Sequence, residues 1–212
     1  NYYLLIMNNI LYIFISHESN IKNVYDRIKH MMNNINNPNY IIVKGGNNIN
    51  NYDSITKVLS INCNDKYEDL PEKVLKTYKY LVESNIFDKY THYIKLDDDM
   101  IVNKIPEYNI IKNLDYIGYV SNVEGNRSWH IGKCSKDNIW NNKPYDGIYV
   151  PWCLGGYGYI LSRNAINLIK NDTTYEENIY EDLYIAILLE NKNIYPINIK
   201  NWKIYCISPE HI

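Results

Sequence analysis

His92-Tyr93-Ile94-Lys95-Leu96-Asp97-Asp98-Asp99 decides how this chain is read. Residues 92–96 have the length and the mainly apolar, β-favouring character of a buried strand, and they run directly into three adjacent carboxylates. Neighbouring aspartates repel one another, and beside a buried strand they are costly unless a cation or hydrogen-bond donors compensate them. Hard divalent ions such as Mg²⁺ and Mn²⁺ take oxygen ligands and commonly share them with substrate phosphates. Asp also favours turns and helix caps, so three acids taken alone fit a solvated turn equally well. Position weighs for the cation, because the acids stand between a strand and the apolar pair Met100-Ile101 rather than in a polar loop. The spaced acids and central glycine of a simple calcium loop are absent.

Towards the N-terminus, Leu11-Tyr12-Ile13-Phe14-Ile15-Ser16 is a compact β-branched and aromatic run that predicts a buried strand. Ile21, Val24, Ile28, Met31, Met32 and Ile35 recur at helical spacing and predict one apolar stripe. Tyr40–Val43 reads as a second strand and Lys57–Cys63 as a third, with 92–96 the fourth. Asp69 and Pro71 are good helix-opening residues, and Val74, Tyr78, Leu81 and Val82 follow on one face. The Asn-rich stretches at 33–39 and 47–51 read as loops. Strand–helix alternation of this kind predicts an α/β single domain with a mostly parallel twisted sheet flanked by helices. In open sheets of that type the ligand sits beyond the carboxyl ends of the strands, which is where the three aspartates fall.

Composition narrows the rest. A chain of 212 residues supports one full-sized core, and a net charge of −2 argues against a broad basic surface for nucleic acid. The longest apolar candidate, Tyr2–Ile15, is broken by Asn8 and Asn9 and falls short of the ~18 residues of a membrane span, so no membrane contact is expected from this segment. The chain starts at Asn1 without Met, and it is expected to be part of something longer. Cys63, Cys134, Cys153 and Cys206 show no C-x-x-C spacing, which excludes a zinc knuckle and leaves open three disulfide pairings or four free thiols. In so Asn-rich a chain, the sequons Asn126-Arg127-Ser128 and Asn171-Asp172-Thr173 read as chance.

Five segments in one order then carry a resemblance. Lys95-Leu96-Asp97-Asp98-Asp99 resembles the Lys-x-Asp-Asp-Asp signature of the β1,3-glycosyltransferases that include Fringe and the core-1 galactosyltransferase. Asp65-Lys-Tyr67-Glu-Asp69-Leu70-Pro71-Glu-Lys73 is similar to that family's Asp-x-Tyr-x-Asn-Leu-Thr-x-Lys segment, with Asp69 in place of Asn and Pro71 in place of Thr. Trp152-Cys-Leu-Gly155-Gly156-Tyr157-Gly158-Tyr159-Ile-Leu-Ser162 resembles the Gly-Gly-Ala-Gly-Tyr-x-Leu-Ser run, with Tyr157 where a small residue is usual. Glu181-Asp182-Leu183 matches the Glu-Asp-Val/Leu motif at a helix start, and His211 falls where the family's late metal-binding His is expected. The likeness covers residues 65–211, while residues 1–60 share only the strand–helix rhythm.

This resemblance implies a GT-A type fold in one catalytic domain, 1–212, with a nucleotide-binding half of about 1–96 and a metal and acceptor half of about 97–212. It implies a UDP-sugar donor, a glycan or glycoprotein acceptor, Mn²⁺ (with Mg²⁺ as the alternative) and inversion at the anomeric carbon. It also implies the lumen of the secretory pathway, or the cytoplasm if preceding chain carries no signal. By the same likeness Asp99, His211 and Asp97 would hold the metal and Asp98 would bind the donor, while Lys95 would pair either with the aspartates or with the donor's diphosphate. Ser16 and Arg27 are further candidates for donor binding. Asp182 would be the general base, and Trp152, Gly155, Gly156, Tyr157 and Glu181 would line the acceptor or sugar pocket.

Each role has a plainer counterpart. Glu181 and Asp182 suit any helix N-terminus, glycines serve tight turns, and large aromatics usually belong to cores. Ser162 reads as the N-cap of a helix carrying Ala165, Ile166 and Ile169, and Lys73 and Tyr67 as orienting the second helix. Leu183, Ile185, Ala186, Ile187, Leu188 and Leu189 cover nearly every face of the helix after Asp182, so it is expected to be buried. The rival reading is a non-catalytic carbohydrate-binding or assembly module on the same fold, because a fold does not guarantee its chemistry. A metal-dependent nucleotidyltransferase is a third.

Overall fold

A computed structural model describes residues 9–46, 48–104, 107–123, 125, 127–199 and 202, together with the backbone of 206–207. The first strand, β1 (Ile10–Ile15), is buried along its whole length, as its unbroken apolar run requires of a strand covered on both faces. Helix α1 (Ile21–Asn34) buries Val24, Ile28 and Met31, each such side chain contributing about 1.5–3 kcal/mol. Met32 does not join the stripe; one residue on from Met31, it turns to solvent and is 48% exposed.

The chain continues through β2 (Tyr40–Lys44), β3 (Asn51–Asp53), β4 (Val58–Ser60), α2 (Leu70–Glu83) and β5 (His92–Asp97). Strand β4 is shorter than its apolar run suggests: it opens at Val58, after Lys57 at φ 60° in the turn out of β3, and ends at Ser60. Then follow β6 (Ile101–Val102), α3 (Tyr108–Ile111), β7 (Tyr116–Gly118), β8 (Val120–Ser121), β9 (Trp152–Cys153), β10 (Tyr159–Ser162), α4 (Arg163–Ile169), α5 (Glu181–Glu190), β11 (Ile197–Asn198) and β12 (Cys206–Ile207).

Eight strands form one sheet in the order β11-β7-β10-β5-β1-β2-β4-β3. Its centre, β5-β1-β2-β4, is parallel, with Ile13 opposite both Lys95 and Ile41. From β1 the chain moves one way to β2 and β4, then crosses to the other side as β5. The carboxyl ends of β1 and β5 therefore lie side by side at a topological switch point, the crevice position of open α/β sheets. The sheet is mostly parallel, as expected, and strand β10 enters it antiparallel between β5 and β7. Its buried run Tyr159-Ile-Leu-Ser announces a strand, but direction is set by the connection, here the tight turn through Gly158 at φ 69°.

Alternation along the strands sorts two core layers. Leu11, Ile13 and Ile15 face the side covered by α2, α4 and α5, whereas Ile10, Tyr12 and Phe14 face α1. In β5, Tyr93 lies on the α5 side and Ile94 and Leu96 on the α1 side, so Lys95, two residues after Tyr93, is aimed at α5. Ser162 caps α4 as expected, its Oγ accepting from the Ala165 N–H at 3.0 Å. Cys63, Cys134 and Cys153 are buried free thiols. No helix among the described residues is long and apolar enough to cross a membrane.

Candidate functional site

At the carboxyl end of β1, Ser16 Oγ donates to Asp98 Oδ2 at 2.9 Å, and Asn20 Nδ2 donates to the same oxygen at 2.6 Å. His17 Nε2 stands 4.0 Å away. The loop that presents Ser16 is fixed from beneath by Lys73, whose ammonium donates to the Ser16 carbonyl at 3.0 Å and pairs with Asp65 at 2.5 Å. Asp65 also accepts the Gly45 N–H at 3.0 Å and the Glu18 N–H at 3.3 Å, tying the ends of β1 and β2 together. Burial pushes the Asp65 carboxyl up, but Lys73 and these amides outweigh it and hold the group below its ordinary value. Gly45 has to be glycine, since a Cβ there would lie 2.3 Å from the Asn64 carbonyl oxygen. Lys73 therefore does more than orient α2, for it sets the position of the loop after β1.

Between β5 and α5 lies a buried charge network. Lys95 is 1% exposed, and its ammonium is 2.5 Å from Asp97 Oδ1 and 3.0 Å from Glu181 Oε2. Burial favours the neutral amine, but the two carboxylates override it and raise the Lys95 pKa above the ordinary lysine value. Glu181 is pushed up by burial, with Lys95 pulling in the opposite sense. The Tyr159 hydroxyl donates to Glu181 Oε1, and Tyr78 donates to Tyr159 at 3.1 Å. The sequence places Lys95 and Asp97 on one strand but gives no sign that Tyr78 and Tyr159 complete the chain.

Asp182 follows Glu181 and is held differently. Its Oδ2 accepts the Gly155 N–H at 3.0 Å and its Oδ1 the Leu183 N–H at 2.9 Å. Both arms of Arg127 close on it, Nη1 to Oδ1 at 3.1 Å and Nη2 to Oδ2 at 3.3 Å. The guanidinium lies 3.8 Å from the Tyr180 ring centroid and 5.5 Å from that of Trp152. Burial favours loss of the Arg127 proton, but Asp182 outweighs it and raises the pKa above the ordinary arginine value. Tyr180 is itself anchored by His130: Nε2 must donate to the Lys143 carbonyl at 2.7 Å, leaving Nδ1 to accept from the Tyr180 hydroxyl at 2.6 Å. Sequence reading missed Arg127, which it met only inside a sequon.

Gly155 sits where these networks meet. A Cβ there would come within 3.2 Å of Asp182 Cβ and 3.3 Å of Lys95 Nζ, so the absence of a side chain lets both groups approach. Gly156 has no such neighbour. Trp152 is buried in the α5-side core, and among the described residues its indole Nε1 has no hydrogen-bond partner. Tyr157 packs in the opposite layer, near Tyr119. Arg27 lies on α1 seven residues beyond Asn20, about 10 Å along the helix, and among the described residues no hydrogen bond or ion pair joins it to Ser16, Asn20 or Asp98. Asp99 is exposed beside Asp98. His211 lies outside the described residues, and among those described no three His, Cys, Asp or Glu side chains converge as a metal group. The successive carboxylates at the end of β5 are hard oxygen donors, which fits a divalent cation of the Mg²⁺ or Mn²⁺ kind.

Comparison with known proteins identifies the family. Residues 49–200 match the family model described as Galactosyltransferase. A 119-residue stretch is 27% identical to UDP-GalNAc:beta-1,3-N-acetylgalactosaminyltransferase 2 of Mus musculus, covering 55% of this chain and 22% of that protein. The chain thus spans about a fifth of that relative's length. Among solved structures, A197 from STIV superposes with a TM-score of 0.51 at 14% identity, over 96% of this chain and 92% of the other, a likeness of fold.

Proposed function

The chain belongs to the galactosyltransferase family of glycosyltransferases, and on that premise we propose that it transfers a hexose or N-acetylhexosamine from a UDP-sugar to an acceptor hydroxyl, with inversion and a β1,3-type linkage. The observation that carries this reading is the Lys95 bridge. It brings the acidic end of β5, at the switch point of the sheet, to the acidic start of α5. Glycosyl transfer needs those two chemistries side by side, charge control at a leaving diphosphate and a base for an incoming hydroxyl.

In this reading residues before about 97 bind the nucleotide, and Asp98, fixed by Ser16 and Asn20, faces the donor. Asp97, Asp99 and His211 would hold Mn²⁺ or Mg²⁺, and when bound the ion neutralises charge on the departing diphosphate. Asp182 takes the acceptor's proton, a role typically contributing about 10²–10⁴-fold. Lys95 holds Glu181 and Asp97 in register rather than reaching the donor, because both carboxylates already occupy its buried ammonium.

A thermal-shift screen of nucleotide sugars with Mn²⁺, followed by UDP release, tests this. A UDP-selective, metal-dependent shift and turnover that disappears in Asp99→Ala and Asp182→Asn are expected, since a ligand of the native state raises its stability. Stabilisation by CDP- or GDP-sugars alone would overturn the donor assignment. Sugar binding without turnover would favour a non-catalytic module.

A further inference from the structure

A carboxylate offers about four lone-pair directions for hydrogen bonds. At Asp182 all are taken: Oδ1 accepts from Arg127 Nη1 and the Leu183 N–H, and Oδ2 from Arg127 Nη2 and the Gly155 N–H. The two backbone donors are fixed by α5 and by the turn before β10, so only Arg127 can leave without unfolding an element. The guanidinium is also the more exposed partner, with 23% of its side chain accessible against 7% for Asp182. Its own backbone is pinned at a few points, the N–H donating to the Tyr149 hydroxyl at 2.9 Å and the carbonyl accepting the Tyr145 N–H at 2.8 Å. The Tyr180 and Trp152 rings give the cation a surface along which to shift while its charge stays compensated.

We propose that Arg127 is a positioning residue that acts as a gate: it fills the proton-accepting positions of Asp182 in the empty site, and the acceptor hydroxyl takes the place of one of its arms. The inference rests on Asp182 being the base. The gate's consequence is protection of the donor. In unwanted hydrolysis, water attacks the anomeric carbon, the carbon–oxygen bond to the diphosphate breaks, UDP leaves with the electron pair, and Asp182 receives the water's proton. While both arms of Arg127 are seated, Asp182 cannot take that proton. A sugar acceptor, bound by further contacts, displaces an arm where a lone water does not.

The test is acceptor-free release of UDP from UDP-galactose, UDP-glucose, UDP-N-acetylglucosamine and UDP-N-acetylgalactosamine with Mn²⁺. Arg127→Met is expected to hydrolyse its best donor about tenfold faster than the wild type, a fraction of what a positioned base contributes. Arg127→Lys, which keeps the charge but frees one carboxylate oxygen, is expected to fall between. A purely structural role predicts the opposite, slower hydrolysis alongside a lower melting temperature. If neither variant releases UDP faster than wild type from any of the four donors, the gate is overturned. A rise that persists when Asp182→Asn is added would instead sink the assignment of the base. For a reading independent of turnover, the chain has only three arginines, Arg27, Arg127 and Arg163. Guanidinium NMR should show restrained signals for Arg127 and for Arg163, which is held by Phe87, Tyr93, Val82 and Asp88, with only the Arg127 signal released by Asp182→Asn. An unchanged spectrum would also overturn the gate.

Discussion

Glu181 and Asp182 are consecutive, share the first turn of one helix and are both buried, yet two kinds of scaffold hold them. Glu181 is held by Lys95 on β5 and Tyr159 on β10, residues locked into neighbouring strands of the main sheet. Asp182 is held by Arg127, which comes from the long irregular connection between β8 and β9, residues 122–151. The Lys95 side chain is 1% exposed and caught between two carboxylates, whereas that of Arg127 is 23% exposed and pairs with one, so Arg127 has room to rotate that Lys95 lacks. The site therefore has a fixed half, which holds charge in register, and a more exposed half, which under the proposed gate would admit a substrate. One helix turn carries both.

The fixed half offers the largest effect. Lys95→Met would leave Glu181 and Asp97 as buried or half-buried acids without their cation. Removing one member of a buried ion network costs about 3–5 kcal/mol. Urea unfolding should report a loss of that order, and Lys95→Met/Glu181→Gln should recover much of it by removing the stranded charge. If Lys95→Met unfolds at the wild-type midpoint, the network is not what fixes this half. Arg127→Met, by contrast, should cost less stability than Lys95→Met, because its partner keeps two backbone donors.

The Asp65–Lys73 pair comes next, since it holds the loop that presents Ser16. Asp65→Asn should cost about 1.5–3 kcal/mol at neutral pH, the range for hydrogen bonds to charged groups. The sign with pH follows from the depressed carboxyl. Its stabilisation is complete above the ordinary aspartate value near 4 and is lost as pH falls through the lower folded value. Wild-type stability should thus decline more steeply than that of Asp65→Asn on acidification below about pH 4. Parallel declines would show that this pair does not tie β1 to β2.

The same division explains what the sequence disclosed. Strands β1, β2 and β5 were legible because unbroken apolar runs report burial directly, and the acids after β5 were legible because carboxylates rarely follow such a run. Glu181 and Asp182 stood out as acids opening an apolar helix. Arg127 was not legible, because its partner lies 55 residues away and nothing local distinguishes a loop arginine that pairs from one that is solvated. Tyr78 and Tyr159 were hidden for a related reason: a tyrosine in an apolar stripe announces a buried ring and says nothing of where its hydroxyl goes. Periodicity reveals which face is inside. It does not reveal strand direction, and nothing in residues 159–162 announces that β10 runs antiparallel to both its neighbours.

The smallest effect probes the seam itself. Gly155 touches both halves, and an added Cβ would press on Asp182 Cβ at 3.2 Å and Lys95 Nζ at 3.3 Å, closer than ordinary contact. Lys95 Nζ is held by two carboxylates and Asp182 Cβ by α5, so the strain reaches the Gly155 N–H that supports Asp182. Gly155→Ala should destabilise by about 1 kcal/mol, the low end of overpacking costs, and lower transfer more than its stability change alone would. Gly156 is the control: nothing lies within 4 Å of its added Cβ and its φ is not left-handed. Gly156→Ala should be neutral or stabilise by about 0.4–1 kcal/mol through the unfolded chain. Opposite signs at adjacent glycines, read as denaturation midpoints, are what a rigid seam requires. Equal and negligible effects would mean that the β5 side gives way as easily as the loop side, and the two halves would then be one.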